Sequence, residues 1–167
     1  MLPFLGDFFG NPSSIHHVGR KARAFLDDCR DRVSRVWKCK PSEVVFTCGG
    51  TESNNLAICG SARLLKAKGH HLITSAVEHH AVLHTFEYLV NKEGFELTTL
   101  PVDADGLVDP QDLADAIRDD TILVSVMAAN NETGAIQPVA ELGSICQEQK
   151  VLFHTDAVQW FGKEPFN

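Results

Sequence analysis

A basic excess is missing from this sequence: 15 Lys and Arg stand against 22 Asp and Glu, for a net charge of −7. Apart from the short run Gly19 to Arg23 the basic residues are scattered, which excludes the electrostatic footprint of a nucleic-acid binder. Cysteines number five and no two form a Cys-x-x-Cys pair. Neither a disulfide framework nor a zinc or other metal centre is therefore expected, and free thiols suit a reducing compartment. No apolar run approaches the roughly 20 residues of a membrane span. The opening MLPFLGDFFG carries Pro3, Gly6 and Asp7 and lacks a basic stretch, so neither a signal peptide nor an anchor is expected, and the expected location is cytoplasmic. Internal repeats, low-complexity tracts and linker-like charge blocks are also missing. What is left is 167 residues of ordinary usage, 44% hydrophobic and 22% charged, enough for one globular domain with a real core.

The patterning alternates between two periods. From about Ser13 to Trp37, apolar residues at Ala22, Phe25, Leu26, Cys29, Val33 and Val36 follow the three-and-four spacing of a helix packed on one face. A short apolar strand is then predicted over Val44 to Thr47, followed by a glycine pair and a helix that Thr51 or Ser53 can cap. The pattern recurs: a strand at His71 to Thr74, a helix from about His79 to Lys92 stopped by Gly94, and a strand in FELTTLPVD. Next come a helix opened by Pro110, a buried strand in TILVSVMAAN, a helix in QPVAELGSICQEQK and a fifth strand in VLFHTD. Alternating strands and helices with near-continuous apolar strands imply an α/β fold whose mostly parallel sheet is covered on both faces.

Sheets of this kind bind ligands beyond the C-terminal ends of their strands, and the unusual residues gather there, in TCGGTESNN, TSAVEHH, AANNETG and HTDAVQ. In the first, Gly49, Gly50 and Thr51 at a helix start suit an anion such as phosphate, or equally a glycine turn with no ligand. One of the adjacent histidines in VEHH can stack on a planar ligand or move a proton, or can simply cap a helix. Asn130, Asn131 and Glu132 either organise a turn or bond a ligand hydroxyl. Asp156 is a costly carboxylate at the end of a buried strand, compensated by a cationic ring nitrogen or by a structural partner such as an Arg. Together, a phosphate cradle, a stacking histidine, an amide and a carboxylate for a pyridinium describe the groups that bind pyridoxal phosphate.

The blocks FGNPSSIHHVGRKAR, VVFTCGGTESNNLAI, HLITSAVEHHAVLHT, DDTILVSVMAANNETGAIQPV and LFHTDAVQWFGK cover nearly the whole chain. In content, order and spacing the sequence resembles the pyridoxal-phosphate-dependent cysteine desulfurases of the NifS/IscS type, within class V of the aminotransferases and fold type I. The resemblance implies a three-layer sandwich of the aminotransferase large-domain type, truncated. It divides the chain into an N-terminal helical segment over 1–40 and a partial cofactor-binding domain over 41–167. It implies pyridoxal 5′-phosphate as cofactor, its phosphate held by Gly50 and Thr51. His79 would stack on the ring and act as acid or base, Asn131 and Gln159 would contact the ring hydroxyl, and Asp156 would hold the ring nitrogen's proton.

By the same resemblance the full-length reaction takes sulfur from L-cysteine, giving L-alanine and an enzyme persulfide. That persulfide passes to acceptors such as iron–sulfur scaffold proteins, and the full-length enzyme is a homodimer. The family's Schiff-base lysine in a Ser-x-His-Lys context, its mobile-loop cysteine and its substrate-carboxylate arginine belong to later segments; Lys163 is not in that context. Cys48 is expected to be a small residue packed at a strand end. The expectation is a fragment that binds the cofactor's polar groups without turning over cysteine alone. Alternatives are a selenocysteine lyase, another class V enzyme, or a non-catalytic folded fragment serving as an interaction surface.

Overall fold

The computed structural model describes residues 2–163; residues 1 and 164–167, the outer ends of the two expected segments, lie outside the described residues. The chain divides into two compact units, one running to Phe46 and one starting at Thr47.

The first unit is built around α1, His17–Trp37. It starts a few residues later than Ser13 because the His16 ring accepts a hydrogen bond from the Gly19 N–H and caps the helix. Its polar side is laced with Arg–Asp pairs at helical spacing, Arg23 to Asp27 and Arg32 to Asp28, and Phe25 on the apolar stripe meets the Phe4 ring at 4.2 Å. Val44 to Thr47, expected as a strand, is irregular chain. Arg30 bonds the Val44 carbonyl at 3.2 Å and lies over the Phe46 ring. Extended backbone becomes a strand only through a neighbour's ladder, and no such neighbour exists among the described residues. Among the described residues four strands are therefore present where five were expected.

The second unit is an α/β sandwich. Helix α2, Gly50–Leu65, leads into β1, His71–Ser75, then α3, His80–Glu93, and β2, Glu96–Leu100. These are followed by α4, Pro110–Ala116, β3, Thr121–Ser125, α5, Val139–Glu148, and β4, Leu152–His154. The strands pair in the order β2-β1-β3-β4, every pairing parallel. Side chains alternate across the pleat, so neighbouring residues build two separate cores. Leu72 and Leu123 meet Ile58 and Ala62 of α2 and Val82, Phe86 and Leu89 of α3. Ile73 and Val124 meet Leu113 of α4 and Leu142 and Cys146 of α5 on the other face. Each fully buried side chain of this size contributes about 1.5–3 kcal/mol, and both faces are needed because β1 and β3 are buried along their whole length.

Helix ends follow the local chemistry. Asp109 accepts from the Gln111 N–H to start α4 with Pro110 in its first turn, and Gly94 at φ 77° closes α3 in the left-handed region that glycine favours. His71, buried in β1, bridges Thr121 of β3 at 2.7 Å and Thr98 of β2 at 2.8 Å, and burial holds its pKa below the ordinary histidine value. No helix among the described residues is long and apolar enough to cross a membrane.

Candidate functional site

The chain leaves β1 toward β2 on one side, while β3 and β4 lie on the other. The gap beyond the C-terminal ends of β1 and β3 is thus a topological switch point, where open sheets hold ligands. A cavity of about 260 Å³ opens there. It is lined by Gly50, Thr51 and Asn54 from α2, His79 after β1, Met127, Ala129 and Asn131 after β3, and Asp156, Val158 and Gln159 after β4. All six residues singled out in the sequence, Gly50, Thr51, His79, Asn131, Asp156 and Gln159, face this one space. Larger clefts of about 660 and 740 Å³ lie elsewhere. In the first Arg118 is paired with Asp120 and Glu96, and in the second Asp109 is the cap of α4.

The start of α2 presents bare backbone donors. Its N-cap is Gly49, with no side-chain cap, so neither Thr51 nor Ser53 plays the capping role expected of it. The Ser53 hydroxyl is paired with that of Thr47 at 2.7 Å, and Thr51 lies one position inside the helix. First-turn N–H groups and the positive end of a 16-residue helix therefore remain for an anion. Gly50 permits the close approach: a Cβ there would stand 2.7 Å from Val158 Cγ2. Cys48, just before, is exposed rather than packed. Its backbone N–H donates to Glu52 at 2.6 Å, and hydrogen bonding to Glu52 pushes the thiol pKa up, away from a reactive thiolate.

The histidine pair is resolved by position. His79 is the N-cap of α3, its Nδ1 accepting from the Ala81 N–H at 3.0 Å, and it lines the cavity. The capping and the ligand-facing readings are both satisfied, because the cap fixes the ring and leaves Nε2 as the nitrogen that carries a proton. His80 turns away to stack with His84, ring centres 5.2 Å apart. The two asparagines also divide the work. Asn130 Oδ1 accepts from the N–H groups of Glu132 and Thr133, and its amide donates to the Val77 carbonyl. Asn130 thereby shapes the turn that presents Asn131 to the cavity.

Strand β4 stops at His154, yet its ladder with the segment after β3 continues: the Ala128 N–H donates to the Asp156 carbonyl at 2.9 Å. Asp156 is thus fixed at the floor of the site, only 7% exposed. Its compensation is not an Arg. Oδ1 accepts from the Val158 N–H at 3.0 Å and Oδ2 from the Asn54 amide at 2.7 Å. Each carboxylate oxygen accepts more than one bond, so the group retains capacity for a cationic N–H. Gln159 follows in the next turn, its Oε1 accepting from Lys163 at 2.8 Å.

Two buried groups escaped the sequence reading. Asn54 shares the inner stripe of α2 with Ile58 and Ala62, both fully buried, so an amide in the i, i+4, i+8 register of a core face was the available signal. Glu78 had none, because its burial depends on Met127, whose N–H it accepts at 2.6 Å. Desolvation pushes the Glu78 carboxyl up to about 7, and the charge of Asp156 adds to this.

The pocket suits pyridoxal phosphate on three independent counts: an uncapped helix end for the phosphate, a fixed imidazole beside the space, and a buried carboxylate with unused acceptor capacity. Residues 1–167 match the family model described as aminotransferase class-V. Among curated relatives, the cysteine desulfurase IscS of Dictyoglomus turgidum is 54% identical over 167 residues, 100% of this chain and 42% of that protein. The cysteine desulfurase IscS of Methanosarcina thermophila is 50% identical over the same length, 41% of that protein. Among solved structures, a NifS-like protein superimposes with a TM-score of 0.94 at 39% identity, covering 99% of this chain and 46% of that one. SspA in complex with cysteine superimposes with a TM-score of 0.91 at 42% identity, covering 96% and 46%. The chain spans about two-fifths of the length of the curated relatives it matches.

Proposed function

Since the chain belongs to the class-V aminotransferase family, we propose that it supplies the pyridoxal-phosphate pocket of a cysteine desulfurase, the activity named in its curated relatives. The observation that carries the reading is the convergence of Gly50, Thr51, His79, Asn131, Asp156 and Gln159 on one cavity at the switch point. When bound, the cofactor's protonated ring supplies an electron sink. The N–H groups of the first turn of α2, with the Thr51 hydroxyl, hold the phosphate. His79, its Nδ1 tied to Ala81, would face the ring, with Nε2 free to move a proton. Asp156 keeps the proton on the ring nitrogen, and Asn54 and the Val158 N–H hold that carboxylate in place. Asn131 and Gln159 would contact the ring hydroxyl.

The whole reaction, removal of sulfur from L-cysteine to leave L-alanine and an enzyme persulfide, is part of this proposal. Its support is the curated relatives' names and the cysteine complex of a structural neighbour. A cytoplasmic homodimer that passes sulfur to iron–sulfur scaffold proteins belongs to the same reading, as does a division into a helical segment over 1–40 and a cofactor-binding domain from 41 onward.

The test is equilibrium binding of pyridoxine 5′-phosphate, which lacks the aldehyde that reacts with surface lysines. Saturable binding of one molecule per chain is expected, weakened about tenfold or more by Asp156→Asn through loss of a charge-assisted hydrogen bond. No saturable binding, or an Asp156→Asn chain that binds as the parent does, would count against the assignment.

A further inference from the structure

Glu78 stands immediately before His79, is 6% exposed, and has two carboxyl oxygens in unequal surroundings. Oε1 accepts from the Met127 N–H at 2.6 Å and from the Ser75 hydroxyl at 2.8 Å. Oε2 is buried with no hydrogen-bond partner among the described residues. A carboxylate with one bare buried oxygen bears the desolvation of a full charge, whereas the neutral acid with its proton on Oε2 leaves a single O–H unsatisfied. Both donors converge on the oxygen that serves as the carbonyl of that neutral acid. Burial is the largest influence and, with the charge of Asp156, raises the pKa against the hydrogen bonds from Met127 and Ser75, which lower it.

The tie joins two walls. Ser75 ends β1 and Met127 follows β3; Met127 lines the cavity from one side and His79, next in chain to Glu78, from the other. Among the described residues no helix or strand bridges that gap beyond the strand ends, and the Asn130 amide bonded to the Val77 carbonyl is a second tie across it.

We propose that Glu78 is a positioning residue of the pyridoxal-phosphate pocket, a buried carboxyl whose Oε1 ties the loop after β1 to the end of β3 and so sets the spacing of His79 and Met127. The inference rests on the cofactor reading of the cavity. Asp156 remains the carboxylate that would face a cationic ring nitrogen.

The test has two arms on the full chain. In the first, the δ-carbons of ¹³C-labelled glutamates are titrated by NMR. One resonance is expected to titrate near 7 and to vanish in Glu78→Gln; glutamates that all titrate in the ordinary carboxylate range would overturn the proposal. In the second, pyridoxine 5′-phosphate affinity is compared across variants. Glu78→Gln, which keeps the accepting oxygen and carries no charge, is expected to bind within about threefold of the parent, and Glu78→Ala about tenfold or more weaker. Should Glu78→Ala fail to fold, Glu78→Gln and the titration still decide the matter. A parent chain that takes no probe would overturn the cofactor reading and the positioning role with it. A parent that binds with an equally competent Glu78→Ala would overturn the Glu78 proposal alone.

Discussion

Replacing Glu78 by Gln removes one ionisation from the interior and leaves its shape, so the change should be read in the pH dependence of stability. In the unfolded chain the carboxyl titrates near the ordinary value of 4.5; in the fold it is pushed up to about 7 because its ionised form is desolvated beside the charge of Asp156. The folded state therefore holds the proton more tightly than the unfolded state. Stability from this group is fully present below about 4.5, falls as pH rises through the interval, and is gone above about 7. The interval from 4.5 to about 7 corresponds to about 3 kcal/mol, a large part of the 5–15 kcal/mol that holds a typical domain together. The side chain is almost wholly buried, so solvent screening takes little from this figure. Urea unfolding of the parent and of Glu78→Gln at intervals from pH 4.5 to 8 measures it. The difference in unfolding free energy between the two should shift by about 3 kcal/mol in favour of the Gln chain across the range. The absolute offset at any single pH carries the separate cost of burying an amide. A difference that stays flat from pH 4.5 to 8 would refute the reasoning, showing that Oε2 finds a donor in solution or that Glu78 is not buried.

Two other substitutions probe the floor and the mouth of the pocket. Asn54→Ala strips the donor from Asp156 Oδ2 and leaves a buried carboxylate partly uncompensated, which should cost about 2–3 kcal/mol and lower the urea midpoint at pH 7; an unchanged midpoint would place the amide outside the stabilising network. Gly50→Ala sets a methyl 2.7 Å from Val158 Cγ2 and should weaken pyridoxine 5′-phosphate about tenfold, with affinity returning when Val158→Ala is added. Calorimetry on the single and double variants checks this, and no rescue by the second change would locate the fault elsewhere.

Much of this was legible in the sequence because burial on two faces leaves a run such as TILVS without polar interruptions, and because loops after such strands concentrate residues that a core would reject. The sheet's parallel pairing, its two helical faces and the gathering of four loops at one site could be read from the chain in this way, while the choice of six residues within those loops came from the family resemblance. What was hidden depended on partners distant in sequence. Val44 to Thr47 is as apolar as a strand, but pairing is a property of two segments, and the run alone does not contain its neighbour. The caps of α2 were misassigned because Thr47 and Ser53 satisfy each other, a contact that propensity does not foresee. Glu78 reads as a surface acid until the end of β3 closes over it. Asn54 was the nearest miss, an amide on the inward stripe of α2 that needed only the question of what it faces.

That amide meets its carboxylate partner 102 residues further along the chain. Closing so long a loop costs conformational entropy that is recovered only after the intervening strands have docked. During synthesis the start of α2 therefore emerges well before the carboxylate it will face. The cavity needs Asp156 from after β4 as well as Asn54 of α2, so an occupied site reports that β4 has paired with β3.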